Sequence, residues 1–403
     1  MSEKPKHIVI VTGQHMVANP RVWKEANTLA ENGYRVTILT TFYDAVKKEL
    51  DKELLHPSIE YKASVNLIKE EGSIADVYFS RIWRRIALYL KKTGKIDTAG
   101  VILYRLSKQV KLAEAEEADL YIAHQEAGLL IGNELIKKGK KVAFDLEDWY
   151  SRDYINSDRP VDLLQKAEAF ALGKGTYITC PSYTMANELM HTYKTQKPEV
   201  IYNSFSKEEN NTVISIQKKR TTLVWFSQVI GPGRGLETLV EALQFINEPL
   251  EIHLIGSVVN GYENYLKQQI LQTQHEILFH GSVNHHQLLP LIAQYNIGLA
   301  LENNYPDNKD TTISNKILQN LQAGNKVLAT NTRGQVETAE MFPKSVEIVE
   351  VNKPEQWAEG IKKLLNRPIE TDHDQLNIFQ EKFSWEKQEQ KLLVMIRSLL
   401  DKK

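Results

Sequence analysis

The stretch that decides the fold is TTISNKILQNLQAGNKVLATN, residues Thr311–Asn331. Apolar residues at helical spacing begin at Ile317, and Gly324 ends this pattern before the apolar strand-like run 327–329. A loop, helix and strand in this order form the repeating unit of a parallel sheet, which directs a helix N-terminus towards the carboxyl edge of the sheet. Lys316 lies in the first helical turn, where the helix dipole alone favours an acid. The cation therefore indicates that this helix end binds an anion.

Length and composition set the class of protein. A chain of 403 residues with 42% hydrophobic and 25% charged residues suits two ordinary soluble domains. The net charge of -1 provides no global attraction to nucleic acid, so no nucleic-acid partner is expected. The single cysteine, Cys180, excludes an internal disulfide and fits a reducing compartment, and no apolar run reaches the roughly 20 residues of a membrane span. We expect a cytoplasmic protein, and peripheral contact with the inner face of a membrane stays open.

The first half opens with a βαβ pattern. An apolar strand at His7–Thr12 is followed by a loop, a helix at Arg21–Glu31 and a second strand at Tyr34–Thr40. This order predicts an open, doubly wound sheet. The loop lacks the spaced glycines of a dinucleotide site, so we expect no cofactor here. Asn19 either caps the helix or faces a binding cleft.

Two further strands of the first half end in ionisable residues. The strand at 118–123 leads to His124, and the strand at 141–145 leads to an acidic segment that contains Asp148. The carboxyl ends of parallel strands meet at one edge of a sheet, so these side chains indicate a site. A lone histidine at a strand end is also commonly structural, and both interpretations of His124 stay open.

A basic amphipathic helix is predicted at residues 79–95, FSRIWRRIALYLKKTGK. Ile82, Ile86 and Leu90 share one face, and six arginines and lysines supply the charge. The helix either docks on anionic lipid or takes an anionic acceptor, or it is a solvated helix with an apolar underside.

The second half opens with a strand at Thr222–Phe226, a glycine-rich turn over 227–235, and a helix. Glycines let backbone N–H groups approach a phosphate closely. Arg234 stands between two glycines at the start of the helix, which strengthens the prediction of a phosphate-binding turn.

The order of these motifs resembles family four of the retaining glycosyltransferases (group 1), which have the GT-B fold. The motifs that carry the resemblance are Asn19-Pro20-Arg21, His124, the acidic segment 145–148, Asn203, Gly233-Arg234-Gly235, Ser314-Asn315-Lys316, Ala323-Gly324 and Trp385. The resemblance implies an α/β protein of two Rossmann-like, doubly wound domains facing across a cleft. It implies an acceptor-side domain at 1–205, a linker at 206–220, a nucleotide-sugar-binding domain at 221–378, and a C-terminal helix at 379–403 that returns to the first domain.

The resemblance also implies roles for individual residues. Catalysis would fall to His124, Arg234 and Lys316. Donor binding would fall to Ser227, Gln228, Gly233, Gly235, Ser282, Val283, Ser314, Asn315 and Gln319. The acceptor side would include Gly13, Asn19, Arg21 and Asp148.

No metal is expected in this arrangement. The segment Asp145-Leu146-Glu147 is similar to the metal motif of the other large glycosyltransferase class, but that class has a single nucleotide-binding domain and this chain shows two βαβ halves. His280, His285 and His286 lack a carboxylate at ligand spacing.

Two departures from the family pattern affect the expected activity. Thr311 and Gln319 stand where the family has glutamates, and Gln228 stands near the place of a first cation. The leading hypothesis is transfer of a sugar, with retention and without metal, from a nucleotide-diphosphate sugar to a glycan or lipid-linked acceptor, in surface polysaccharide or glycoconjugate biosynthesis. The alternatives are a catalytically reduced nucleotide-sugar-binding subunit and a nucleotide-sugar epimerase of the same fold.

Overall fold

The computed structural model describes residues 4–94, 96–155, 158–206, 219–367 and 373–400. The described chain separates into two compact units. Unit 1 comprises 4–181, 185–201 and 389–400, and unit 2 comprises 182–184 and 202–388, each less the gaps given above. Each unit has its own parallel sheet.

The sheet of unit 1 has seven strands in the order β3-β2-β1-β4-β5-β6-β7. The central strands His7–Val11, Leu120–His124 and Val142–Asp145 are buried at every position rather than at alternate ones, because helices cover both faces of a parallel sheet. Ile8 of β1 pairs with Val36 of β2 on one side and with Leu120 of β4 on the other. The strands are β1 His7–Val11, β2 Arg35–Phe42, β3 Glu60–Asn66, β4 Leu120–His124, β5 Val142–Asp145, β6 Ile178–Cys180 and β7 Glu199–Val200.

The helices of unit 1 connect these strands. The first helix begins at Pro20, one residue before its predicted start, and the Asn19 side chain accepts a hydrogen bond from the Val22 amide. A single π-helical turn, Ala75–Phe79, leads into the third helix. The helices are α1 Pro20–Glu31, α2 Ala45–Leu54, α3 Ser80–Gly94, α4 Leu106–Ala115, α5 Gln125–Lys137, α6 Val161–Lys174 and α7 Tyr183–Tyr193, the last of which begins in unit 2.

The sheet of unit 2 has six strands in the order β10-β9-β8-β11-β12-β13. They are β8 Lys219–Ile230, β9 Glu251–Val258, β10 Glu276–Phe279, β11 Tyr295–Ala300, β12 Lys326–Thr330 and β13 Val346–Val349. The helices are α8 Leu236–Leu243, α9 Tyr262–Gln269, α10 His285–Ile292, α11 Asp307–Thr311, α12 Asn315–Gln322, α13 Arg333–Met341, α14 Pro354–Leu365, α15 His373–Phe383 and α16 Trp385–Leu400.

Each unit has its own hydrophobic core. In unit 1, Ile8, Ile10 and Ile38 of the sheet pack with Leu29 of α1 and Ile396 of α16. The core of unit 2 has a cluster around Trp225, Leu254 and Trp357 on one face of its sheet, and a second cluster around Phe226 and Ile292. The C-terminal helix α16 therefore contributes its last turns to the core of unit 1.

The decisive stretch folds as its pattern predicts. Ser314 caps α12, with its side-chain oxygen accepting from the Lys316 amide, and Gly324 takes a left-handed conformation with φ 66° at the helix end. The apolar run that follows is β12.

Three predicted elements differ from the structure. Strand β8 continues to Ile230 rather than ending at Phe226, because the β-branched Val229 and Ile230 extend the pairing with β9 beyond a register shift. The run 200–203, which resembles a family strand that ends in asparagine, lies in a strand only at Val200. Thr311 does not lie in a loop but ends the short helix α11.

Two predicted segments lie partly outside the described residues. Of the predicted linker 206–220, residues 207–218 are not described, and Lys95 at the end of the predicted basic helix is not described either. The helix itself extends over Ser80–Gly94.

Candidate functional site

The site of unit 2 follows from its strand order. β8 connects outward to β9 and β10, whereas β11 connects to β12 and β13 on the opposite side. The loops after β8 and β11 therefore leave the sheet in opposite directions, and the crevice between them is where open α/β sheets bind ligands. Arg234 lies in the loop after β8, and Glu302 lies in the loop after β11.

Lys316 is held by Glu302. The Lys316 ammonium lies 2.5 Å from Glu302 Oε1, and the hydroxyl of Ser314 donates to the same oxygen at 2.9 Å. The ammonium also lies 5.7 Å from the ring centre of the buried Trp225, within the range of a cation–π contact. Lys316 is thus oriented at the N-terminus of α12, where the helix dipole attracts anions.

Glu302 is an ionised carboxylate in this setting. Burial opposes its ionisation, but the positive charge of Lys316 and the hydrogen bonds from Lys316 and Ser314 outweigh burial, so the pKa of Glu302 is lowered. An oxygen of a bound diphosphate would compete with the Glu302 carboxylate for the Lys316 ammonium. The pair therefore keeps the cation in place and neutralised in the absence of an anion.

The loop that carries Arg234 is hydrogen-bonded to the loop that carries Glu302. The Asn303 side-chain amide donates to the Gly233 carbonyl at 3.0 Å, which links the residue after Glu302 to the residue before Arg234. The Arg234 side chain is exposed and donates to Ser227 Oγ at 2.9 Å. Gly235 is the N-cap residue of α8, with φ 83°. Its backbone leaves no room for a side chain, because a Cβ there would lie 2.8 Å from Leu301 Cβ.

The other predicted donor residues lie at carboxyl ends of the same sheet. Gln228 is exposed on β8. Ser282 follows β10, and its hydroxyl shares a hydrogen bond of 2.8 Å with Ser257. Val283 packs on the cluster around Phe226. Asn315 Oδ1 accepts from the Asn203 side chain at 3.3 Å.

The two positions that depart from the family pattern have different surroundings. Gln319 is 8% exposed on α12. Within the described part of the chain its side-chain amide has no hydrogen-bond partner, so it is available to a ligand. Thr311 is buried, and its hydroxyl donates to the Asn308 carbonyl at 3.1 Å. Asp310 and Glu302 are the carboxylates that could replace the missing glutamates, and Asp310 is bound to Arg333 at 2.6 Å. Glu302, the other possible replacement, lies beside Lys316.

In unit 1, Arg21 and Asp145 form a buried two-point pair. Arg21 Nε and Nη2 donate to the two carboxylate oxygens at 2.7 and 2.6 Å, and Nη1 donates to the Ile201 carbonyl. Burial alone would raise the pKa of Asp145, but the charge of Arg21 and the bonds from His124 and Arg21 keep that pKa well below its usual range. Arg21 was predicted as an acceptor-side residue. In the structure its side chain already binds the Asp145 carboxylate and the Ile201 carbonyl.

His124 lies at the centre of a cluster of carboxylates. Its Nε2 lies 2.8 Å from Glu25, and its Nδ1 lies 3.1 Å from Glu147 and 3.3 Å from Asp145. Burial would lower the pKa of His124, but its hydrogen bonds to Asp145, Glu147 and Glu25 raise it well above 6.5. The imidazole is therefore a buried cation with both nitrogens occupied and no exposed surface.

Asn19 joins this cluster, since its side-chain amide donates to Glu147 at 2.7 Å in addition to its capping role. The ligand atoms of His124, Asp145 and Glu147 lie within 4.8 Å of one another, a grouping whose donor types suit a metal ion. Here the guanidinium of Arg21 binds both oxygens of Asp145. A side-chain cation thus already contacts one of the three groups that such an ion would use.

The remaining acceptor-side residues lie at the carboxyl edge of the same sheet. Gly13 follows β1, and a Cβ on it would lie 2.7 Å from Ala127 Cβ of α5. Asp148 follows β5 and accepts from the Trp149 amide at 2.7 Å. Gly13 also lines a pocket of about 540 Å³ in unit 1, together with Arg81 and Arg84 of α3.

Sequence reasoning missed three residues of these sites. Glu25, four residues after Arg21 on α1, is on the same helical face and could have been found by that spacing. Ser257 stands beside Ser282, but only the pairing of β9 with β10 reveals it. Asn303 gave no signal, because a polar residue after a strand is common in any loop.

Comparisons with known proteins bear on the family and the fold of the chain. The family model described as "Glycosyl transferases group 1" matches residues 220–367, which lie in unit 2. No curated protein sequence matches the chain significantly.

Solved structures share the fold over nearly the whole chain. The glycosyltransferase from Rickettsia africae is 15% identical, with a TM-score of 0.66, and the match covers 99% of this chain and 100% of the other. HepE of Anabaena, solved with UDP and glucose, is 16% identical with a TM-score of 0.65 and coverages of 98% and 100%. A TarM variant from S. aureus, solved with fondaparinux, α-GlcNAc-glycerol and UDP, is 8% identical with a TM-score of 0.63 and coverages of 97% and 99%. With its two parallel sheets, the chain has the GT-B fold of two Rossmann-like domains.

Proposed function

We propose that the protein is a glycosyltransferase that moves a sugar from a nucleotide-diphosphate donor to a glycan or lipid-linked acceptor. The observation that carries this proposal is the crevice of unit 2, where the cationic Lys316 and Arg234 are joined through Glu302 and Asn303 beside two helix starts. The match of 220–367 to the group 1 glycosyl transferases supports the donor assignment. The fold neighbours that were solved with UDP support it further.

The chemistry requires charge stabilisation at the leaving group. Negative charge develops on the departing diphosphate while the sugar carbon becomes oxocarbenium-like. Fixed cations and helix N-termini stabilise this charge without reorganisation, and we assign that role to Arg234, Lys316 and the first turns of α8 and α12. With this assignment we propose a reaction that does not depend on a metal. We further propose retention of configuration with departure and attack on the same face of the sugar.

The acceptor is assigned to unit 1. Gly13 and the pocket beside it supply space at the carboxyl edge of the sheet. The cluster of His124, Asn19 and Arg21 stands at that edge, and its buried charges make it a positioning element for the loops after β4 and β5. Direct contact of His124 with the transferred sugar stays a prediction. Surface polysaccharide or glycoconjugate assembly remains the proposed pathway.

A thermal-shift screen tests the donor site. The protein is heated with UDP, GDP, ADP and their common sugar conjugates, with and without EDTA. A nucleotide at about 100 times its dissociation constant stabilises the folded state by about 2.7 kcal/mol, which gives a clear shift. We expect a shift that survives EDTA and disappears in Arg234→Ala. The matched control is Lys267→Ala, which removes an exposed cation from α9 of the same unit. The absence of a shift with every nucleotide would remove the donor-site assignment.

One observation favours a second candidate, a nucleotide-sugar-binding subunit with little activity. Gln319 offers an uncharged amide where the family has a carboxylate, and Thr311 is buried against Asn308. Loss of charge assistance at Gln319 halves the strength of a hydrogen bond to the donor. If about 1.4 kcal/mol of transition-state binding is lost, the rate falls about tenfold.

Gln319→Glu separates the two candidates. In a working transferase the variant is expected to raise kcat/KM about tenfold, since the charged acceptor regains the lost stabilisation. In a binding subunit neither protein releases nucleoside diphosphate when the acceptor is added. Conversion of the donor without any acceptor would identify an epimerase instead.

A further inference from the structure

Helix α3 and the π-helical turn before it carry an apolar surface turned towards solvent. Of the helix, only Ser80 and Ala87 are buried. Seven large apolar side chains along Ile74–Tyr89, here called the α3 face, are 41–73% exposed: Ile74, Tyr78, Phe79, Ile82, Trp83, Ile86 and Tyr89. Single exposed apolar residues are ordinary, but a continuous row of them marks an interaction surface.

This arrangement decides between the two interpretations of the basic helix. A solvated helix with an apolar underside would bury its large apolar residues and expose its charges. Here Ile82 is 52% and Trp83 is 62% exposed, while the buried side consists of small residues. The helix therefore exposes its large apolar side chains together with its charges.

Cations flank the α3 face. Arg81, Arg84, Arg85 and Lys92 have no acidic partner among the described residues. The neighbouring cations differ, because Arg105 pairs with Asp76 and Lys91 pairs with Asp97. Among the described residues, Arg81 and Arg84 donate to the carbonyls of Leu67 and Ile102, respectively, and neither contacts a carboxylate, so their charges are not neutralised.

We propose that the α3 face docks on an anionic lipid bilayer. Aromatic and branched aliphatic side chains beside arginine and lysine are the composition of a helix that lies in the membrane interface. The apolar side chains would enter the boundary of headgroups and acyl chains, and the unpaired cations would meet the lipid phosphates. A soluble protein partner would need a complementary acidic groove, whereas a membrane needs only these two properties side by side.

The pocket of unit 1 adjoins this surface. Arg81 and Arg84 belong both to the basic flank of the α3 face and to the pocket wall. An amphiphile anchored in the same bilayer would present its anionic head to the pocket through these two cations. Docking is proposed independently of the transferase activity, and it is measured without a sugar donor.

The test is co-sedimentation of the full chain with two kinds of vesicle. One is phosphatidylcholine alone, and the other is an equimolar mixture of phosphatidylcholine and phosphatidylglycerol. We expect the protein to sediment with the mixed vesicles at low salt and to be released at high salt. Arg85→Glu with Lys92→Glu, which touches neither pocket cation, should reduce the partition coefficient at least about tenfold. Lys267→Glu in unit 2 is the matched charge reversal and should leave it unchanged.

The apolar half of the face has its own variant. Phe79→Ser with Ile82→Ser should abolish sedimentation, since it removes the side chains that enter the bilayer. Both side chains are mostly exposed in the folded protein, so the fold is expected to persist and circular dichroism checks it. Leu271→Ser replaces a side chain that is 76% exposed in unit 2 and serves as the control.

Trp83 reports insertion directly. Brominated lipid should quench tryptophan fluorescence of the wild type, and the quenching should be lost in Trp83→Phe.

Three outcomes would overturn the proposal: wild-type protein that stays in the supernatant with mixed vesicles, sedimentation that survives Phe79→Ser with Ile82→Ser, or vesicle-independent self-association that this variant dissolves. The last outcome would identify a second copy of the chain as the occupant.

Discussion

Glu302 and His124 are largely buried groups whose pKa values are shifted in opposite directions by charged partners. Glu302 is a carboxylate whose pKa is lowered by Lys316 in spite of burial, and His124 is an imidazole whose pKa is raised by three carboxylates in spite of burial. Each group is more stable in its charged form in the folded state than in the unfolded chain. Stability of the two units should therefore respond to pH in opposite directions.

Glu302→Gln is expected to lower the free energy of unfolding of unit 2 by about 2 kcal/mol at neutral pH, because Lys316 loses its charged partner. A lowered folded-state pKa contributes stability above the unfolded value of 4.5, and this contribution is lost as the pH falls through the folded value. The difference between wild type and variant should thus shrink in acid. Urea titrations at neutral and acidic pH measure it.

The control for this titration is Glu263→Gln, which removes a carboxylate that is 43% exposed and should change little. A difference between wild type and Glu302→Gln that stays constant from neutral to acidic pH would contradict the assigned ionisation.

His124→Gln should show the reverse dependence in unit 1. A raised folded-state pKa contributes stability that is fully present below the unfolded value of 6.5 and is lost as the pH rises through the folded value. The stability advantage of the wild type should fall by up to about 1.4 kcal/mol per pH unit in this range. Unfolding midpoints across the neutral and mildly alkaline range measure the effect, and the exposed His191→Gln in the same unit serves as the control. Parallel pH profiles of wild type and His124→Gln would show that the imidazole is neutral.

At the scale of elements, the turn between β8 and α8 depends on the close packing of the Gly235 backbone against Leu301. Gly235→Ala is expected to destabilise unit 2 by about 1 kcal/mol for the positive φ, and by a further 1–3 kcal/mol or so because its Cβ would meet Leu301. Gly233→Ala is the matched variant, since Gly233 also has a positive φ but faces open space, and only the smaller cost is expected. Thermal unfolding compares the two, and equal losses would show that the contact with Leu301 is relieved by a backbone shift.

The elements also show what a sequence can predict. Ile317 and Leu321 predict α12 correctly, because the helix period acts within a few residues, and Ser314 caps this helix in the structure. The predicted end of β8 at Phe226 was wrong, because the pairing with β9 keeps Val229 and Ile230 extended. The outward face of α3 could not be predicted, because periodicity shows which residues share a face but not which way the face turns.

In the candidate sites too, local features could be predicted from the sequence and long-range contacts could not. Lys316 and Arg234 could be predicted as cations at helix starts, because that chemistry is local to a loop and the helix after it. Glu302 as the partner of Lys316 required the structure, since fourteen residues separate them and a helix intervenes. The three carboxylates around His124 come from α1 and two strand ends, and only the fold brings them together.

At the scale of the whole molecule, the chain closes on itself through its last helix. Unit 1 consists of the first half of the chain together with residues 389–400. Leu392, Leu393 and Ile396 are at most 8% exposed in the cluster that contains Ile8 and Leu29. The core of unit 1 is therefore incomplete until the entire chain has been made. None of the described helices combines the length and the hydrophobicity that a membrane span requires.

Truncation after Gln388 tests this dependence. Burying each of the three side chains is worth about 1.5–3 kcal/mol, and together they approach the typical total stability of a domain, about 5–15 kcal/mol. Unit 1 is expected to lose its protection against hydrogen exchange and proteolysis, while unit 2 keeps its protection because its core lies within 202–388. A chain that ends at Leu400 retains the buried residues and is the control. A truncated chain whose β1 and β4 amides stay protected would show that the sheet of unit 1 is stable without the C-terminal helix.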